Sequence, residues 1–211
     1  ATSGSAALIF PATVNTGDPL FANSYVGVAV LNPKFGTEIL SLRMLDSAGS
    51  EIESLQLGQP VPAFGQTSFL TSEFFELGPE ASALAVQGEE ALQGFFMTGD
   101  YDLARLDGVG ARVESSRRLY FPMLREKSGE VTLLYLINEN TDKSTEIDIR
   151  VFGQDGSIQG EVTAMLPPEG SLFGTIAEIL GEEIGLDDLV VDREPLPGIE
   201  VTLIERTPDG D

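Results

Sequence analysis

Acidic oxygens at short spacing are the first feature of this sequence that could do chemistry. Asp100, Asp102 and Asp107 stand in a glycine-bounded stretch, Gly99-Asp100-Tyr101-Asp102-Leu103-Ala104-Arg105-Leu106-Asp107-Gly108. Hard oxygen ligands on a loop suit Ca2+, which takes several of them in flexible geometry. The spacing is not that of an EF-hand, because the third acid comes late, no glutamate closes the loop and Arg105 puts a positive charge inside it. Turn-forming aspartates that cap backbone amides are the competing reading. Tyr101 and Arg105 lie in the same stretch, and Tyr120 follows with Arg112, Arg117 and Arg118. Aromatic faces beside guanidinium groups suit a sugar ring or an anionic group, so Tyr101, Arg105 and Tyr120 form a candidate ligand set at the join between two domains. Pairing of these arginines with neighbouring acids is the alternative.

Absences exclude most other chemistry. The chain has neither histidine nor cysteine, so Ser-His-Asp and Cys-His arrangements, imidazole or thiolate metal sites and disulfides are impossible. No glycine-rich phosphate loop follows a strand and opens a helix. With 34 acidic residues, carboxylate pairs are inevitable and discriminate nothing; paired-carboxylate hydrolysis needs two acids at a set separation across a cleft. Lys127 beside Ser128 and Lys143 beside Ser144 sit in polar hairpin sequence, and Glu182, Glu183, Asp187 and Asp188 read as a loop after a helix. The expectation is a protein that is not an enzyme and holds no cofactor, with Ca2+ as the one candidate ion.

The balance of 12 basic against 34 acidic residues gives a formal charge of -22. Nucleic-acid affinity rests on neutralising phosphates with Lys and Arg, so this surface repels nucleic acid and anionic membranes, and favours cations, basic partners or simple solubility. No apolar run is long enough to span a bilayer as a helix, which predicts no membrane insertion. The opening Ala-Thr-Ser-Gly-Ser-Ala-Ala resembles a processed mature end. Together with the β-repeat character described next, it suggests a secreted or cell-surface protein whose partner is a protein or a glycan.

The elements that must position these residues are written twice. Phe10-Pro11 returns as Phe121-Pro122, Asn32 as Asn138, and Ala48-Gly49 as Asp155-Gly156. Pro62-Ala63-Phe64-Gly65 returns as Pro167-Pro168-Glu169-Gly170, Glu73 as Glu178, and Gly94 as Gly198. The offset drifts only from 111 to 104, in constant order, as small loop deletions would produce. Two domains follow, residues 6–111 and 112–211.

Within the first copy, Ala6 to Phe10 is a strand stopped by Pro11. Tyr25 to Leu31 is apolar on both alternating sets, which predicts a central strand buried on both faces. Leu40, Leu42 and Met44 alternate with polar residues, and Asp46-Ser47-Ala48-Gly49 turns the chain into a strand over 51–57. A proline corner, Pro60 to Gly65, precedes a strand at 67–70 and a short helical segment from Thr71 to the Gly78-Pro79 stop. Leu84 to Gln87 and Leu92 to Thr98 are expected as two strands joined by a tight turn, with 99–118 as the join between copies. In the second copy, Ile147, Ile149 and Val151 alternate with charged residues. Thr175 and Glu178 have capping-box spacing for a helix over 175–180, and Gly198 to Ile204 is the last strand.

Seven short strands per copy, with frequent turn signals, predict an all-β protein of two tandem antiparallel β-sandwich domains, Ig-like or jelly-roll-like, each with one short helix. The order of Phe-Pro, Leu-Asn-Pro, Asp-x-x-Gly, a proline corner and a short helix opening on glutamate resembles a tandem β-sandwich repeat of exported bacterial proteins of unassigned function. The carrying residues are Phe10-Pro11, Val30-Leu31-Asn32-Pro33, Asp46 to Gly49 and Glu73-Phe74-Phe75, then Phe121-Pro122, Asn138, Asp155-Gly156 and Glu178-Ile179-Leu180. In the second copy Glu139 replaces the proline. The resemblance implies fold and export. The expected role is a structural spacer or protein-interaction module, with a Ca2+-dependent or carbohydrate-directed module as the alternative.

Overall fold

The computed structural model describes residues 5–12, 23–102, 106–110, 118–121, 133–152, 156–181 and 198–204. The chain divides into two compact units, residues 1–115 with 169–171, and residues 116–168 with 172–211. The ladders of the seven-stranded and four-stranded sheets are antiparallel, and the described residues are all-β apart from two short helical segments.

The first unit is a curled seven-stranded sheet of β1 (Ser5–Pro11), β2 (Ser24–Leu31), β3 (Ser41–Leu45), β4 (Glu51–Gln56), β5 (Gln66–Leu70), β6 (Ala83–Asp100) and β7 (Leu106–Gly110). The curl is organised by β6, which is one continuous strand of 18 residues and not two strands with a turn between them. Its first part pairs with β1 and β3, and its second part pairs with β2 and β7. Residues 88–91 lie where the partners change, and the β1 register skips there between Leu92 and Gln87. Extra residues in a ladder bend and twist a strand without ending it, so the sequence turn signal at Gly88 marks a bend. The segment expected as a linker contributes β7 to this sheet, opposite Phe95 to Gly99.

Inside the curl lie Leu8, Phe10, Val26, Val28, Val30, Leu40, Leu42, Met44, Leu84, Val86 and Leu92, all nearly inaccessible. β2 corrects the expectation of burial on both faces: Val26, Val28 and Val30 are buried, whereas Tyr25, Gly27, Ala29 and Leu31 are only half-buried. Side chains alternate across a pleated strand, and here only the valine set faces the core. A single 3-10 turn, Thr71–Glu73, follows β5, with the Glu73 carboxylate accepting the Leu70 N–H. Phe75 is buried beyond it, and Phe74 stacks edge-on to Phe69 with centroids 5.2 Å apart.

In the second unit, β8 (Arg118–Phe121), β10 (Thr145–Phe152), β11 (Ile158–Leu166) and β13 (Gly198–Ile204) form a four-stranded sheet in the order β11-β10-β13-β8. β9 (Leu133–Ile137) pairs with β12 (Ser171–Thr175). The first unit has the corresponding orders β4-β3-β6-β1 and β5-β2. The helix α1 (Ile176–Leu180) starts as the sequence predicts: Glu178 N–H donates to the Thr175 hydroxyl at 3.1 Å, and Thr175 N–H donates to the Glu178 carboxylate at 2.7 Å. Its Ile176 and Leu180 join Leu134, Leu136, Ile147, Ile149, Val151 and Leu166 in one core.

Candidate functional site

The predicted site residues that are described fall on different elements. Asp100 is 5% exposed at the end of β6, opposite Ser24, whereas Asp102 is exposed in the following turn. Asp107 is in β7, opposite Thr98. Among the described residues no group of three or more acids is close enough to hold a metal ion. Tyr101 is exposed and stacks on Tyr25 with centroids 5.3 Å apart, in the first unit. Tyr120 is exposed in β8 of the second unit, where its hydroxyl accepts from Arg118 at 3.2 Å. Arg105, Arg112, Arg117, Lys127, Ser128 and the acids at 182, 183, 187 and 188 fall outside the described residues. Lys143 and Ser144 are exposed.

A different site is built from Asn32 upward. This residue follows β2, is fully buried, and lies between two loops of the first unit. Its Nδ2 donates to the carbonyls of Gly36 at 2.7 Å, Val61 at 3.3 Å and Pro62 at 3.3 Å, while its Oδ1 accepts the Lys34 N–H at 3.0 Å. A buried amide with its donors and acceptor all used fixes local geometry, since each unmade bond would leave a desolvated polar group. Backbone bonds complete the clamp: Asn32 N–H donates to Gly65, Glu38 and Val61 exchange N–H and C=O bonds, and Phe64 N–H donates to Lys34.

The two loops so clamped carry Phe35 and Phe64. Phe35 is 90% exposed and Phe64 58% exposed, and their rings meet edge-to-face with centroids 4.9 Å apart. Phe64 is at φ 57, the third residue of a turn closed by Gly65 N–H on Pro62 C=O at 2.9 Å. A turn with positive φ at that position favours glycine or asparagine, so an aromatic there is held by its surroundings. Glycine is required next in the chain, because a Cβ on Gly65 would come within 2.6 Å of the Pro62 ring. Lys34, which precedes Phe35, has its Nζ 3.9 Å from Glu90, and Glu89 and Glu90 are both exposed. Glu38 is buried and accepts the Glu89 N–H at 2.9 Å.

The second unit has the same clamp without the rings. Asn138 is buried and donates to Lys143, Leu166 and Pro167 carbonyls at 2.7, 3.2 and 2.9 Å, and its Oδ1 accepts the Asn140 N–H at 3.1 Å. Glu169, at φ 52, occupies the position that aligns with Phe64. Glu139 follows the clamp, and burial pushes its carboxyl above the usual range, although the residue still meets solvent.

A second surface feature is the outer face of the ladder β5-β2-β6-β7. Residues opposite one another in an antiparallel pair share a face, which places Gly27 with Met97, Ala29 with Phe95 and Leu31 with Gln93. Phe95 lies over Gly108 of β7, whose Cβ would meet the ring at 2.6 Å, and Phe95 and Leu106 are exposed. Among the described residues this face carries no charged side chain, in a chain of which 22% is charged. Sequence reasoning missed both features. Phenylalanines set among glycine and proline in Lys-Phe-Gly and Ala-Phe-Gly were the available signal for the tip.

No protein-family model matches the sequence, and no curated protein matches it. Among solved structures, the crystal structure of Thermotoga maritima 1070 is similar to 53% of this chain and 96% of its own, with a TM-score of 0.41 and 8% identity. A likeness at that level bears on neither fold class nor function.

Proposed function

We propose that the chain is a non-enzymatic exported module made of two tandem copies of one antiparallel β-sandwich unit, and that it acts as a spacer and protein-interaction module in a cell-surface or secreted assembly. The matching strand orders and the matching Asn32 and Asn138 clamps support the two-copy reading. The observation that carries the interaction role is the uncharged outer face of the β5-β2-β6-β7 ladder. Charged residues are depleted at the centres of protein interfaces, and this face is uncharged across all four strands among the described residues.

The test places a carboxylate in the middle of that face. Ala29→Glu keeps the strand and core valines, so circular dichroism and melting should remain close to wild type. Immobilised wild-type protein, incubated with exported proteins from its source, is expected to retain a partner that Ala29→Glu does not retain. No partner retained by either would leave a passive spacer, and equal retention by the two would remove this face as the contact.

A further inference from the structure

We propose that the Phe35/Phe64 tip is a second binding site, independent of the uncharged sheet face, and that its occupant is a protein segment in which arginine or lysine side chains flank an apolar residue. Four observations carry it. The pair is exposed to a degree that no core role explains, with Phe35 at 90% and Phe64 at 58%. It is preorganised, because the buried Asn32 side chain ties the Phe35 loop to the carbonyls of Val61 and Pro62, so binding orders little that is not already ordered. It is maintained against backbone preference, since Phe64 is at φ 57, where a bulky side chain is disfavoured. The fold does not require the ring there: Glu169 holds the same kind of backbone, at φ 52, at the aligned position of the second sequence copy.

Charge selects the occupant. Lys34, next to Phe35 in the chain, is paired with Glu90 at 3.9 Å, and Glu89 donates its N–H to Glu38, which is bridged to Val61, on a chain of net charge -22. A phenyl face attracts a guanidinium or ammonium through its quadrupole, and carboxylates beside it add to that attraction. An apolar side chain of the same segment would cover the ring edges left open to water. An acidic peptide or an anionic lipid surface would meet like charge at the same point.

The probe is a fluorescein-labelled peptide alternating arginine with leucine, followed by fluorescence anisotropy at about the ionic strength of physiological salt. A chain this acidic attracts any cationic peptide, so the decisive comparison keeps protein charge constant. Phe35→Ala and the double variant Phe35→Ala/Phe64→Gly are expected to weaken binding by about tenfold or more, and Glu89→Gln/Glu90→Gln by a smaller factor. Phe35 contributes almost nothing to the core, so the single variant decides the matter even if the double variant folds poorly. Equal affinity for wild type and Phe35→Ala would overturn the proposal by reducing the binding to bulk charge, and so would equally tight binding of a glutamate-leucine peptide. Two further measurements name the rival occupants. Flotation with neutral phosphatidylcholine vesicles, or self-association in sedimentation, that is lost in Phe35→Ala would assign the tip to lipid or to a second copy and would overturn it as well. Ala29→Glu leaves the tip intact, so failure of the sheet-face reading does not affect this test.

Discussion

At the scale of single residues, Asn32 and Asn138 do more for this protein than any residue selected for chemistry. Each is a buried amide whose donors bridge carbonyls distant in sequence, 29 and 28 residues away for Val61 and Leu166. Deleting such a group leaves several desolvated carbonyls at once, each lost bond being worth about 1–3 kcal/mol. Asn32→Ala is therefore expected to lower stability by roughly 2–4 kcal/mol, read from denaturant melts. Asn32→Asp is expected to be as damaging at neutral pH, because a carboxylate would face carbonyls. A carboxyl with its folded-state pKa raised in this way binds more protons folded than unfolded, so the deficit should shrink as pH falls through the raised pKa. An Asn32→Asp variant whose stability deficit is independent of pH would contradict the donor role.

At the scale of elements, turns show how local chemistry and tertiary demand divide the work. The Asp46 turn is local: its Oδ1 accepts from Ala48 and Ser50, and Gly49 supplies φ 79. The Thr175/Glu178 capping box is equally local. The corner at Phe64 is imposed from outside, through the Asn32 clamp and the Lys34 carbonyl. Comparison of Phe64→Gly with Phe64→Ala isolates its backbone cost, since neither keeps the ring. The glycine variant is expected to be more stable by about 1 kcal/mol, measured by thermal or urea unfolding. Equal stability would mean that the left-handed turn carries no cost. Length belongs to this scale too, because β6 serves two pairs of partners only by running for 18 residues through its bend.

At the scale of the whole molecule, net charge sets how strongly ions act on this protein. Asp100 is buried while Asp102 is exposed, so an ion held by both would meet one buried and one open carboxylate. Excess calcium and chelator, compared at matched ionic strength to hold screening equal, are expected to give the same melting temperature. A ligand at about 100 times its dissociation constant would add roughly 2.7 kcal/mol, several degrees for units of this size. A shift of that size, abolished by Asp102→Asn, would restore the calcium-dependent reading. It would displace the interaction reading only if the uncharged face also proved inert.

What the sequence determined by itself was everything whose cause is local. Alternation at Ile147, Ile149 and Val151 reflects the pleat, glycine in the Asp46 turn reflects a positive φ, and Thr175 with Glu178 reflects unpaired amides at a helix start. Ordered recurrence of such signals was enough for an all-β reading and for the bounds of β13. Tertiary structure decided what depends on contacts between distant residues. It joined two predicted strands into β6, because both partner sets are remote in sequence, and it exposed one face of β2, because burial depends on what lies opposite. It brought Phe35 beside Phe64 through hydrogen bonds from a buried side chain, a juxtaposition that no spacing along the chain encodes.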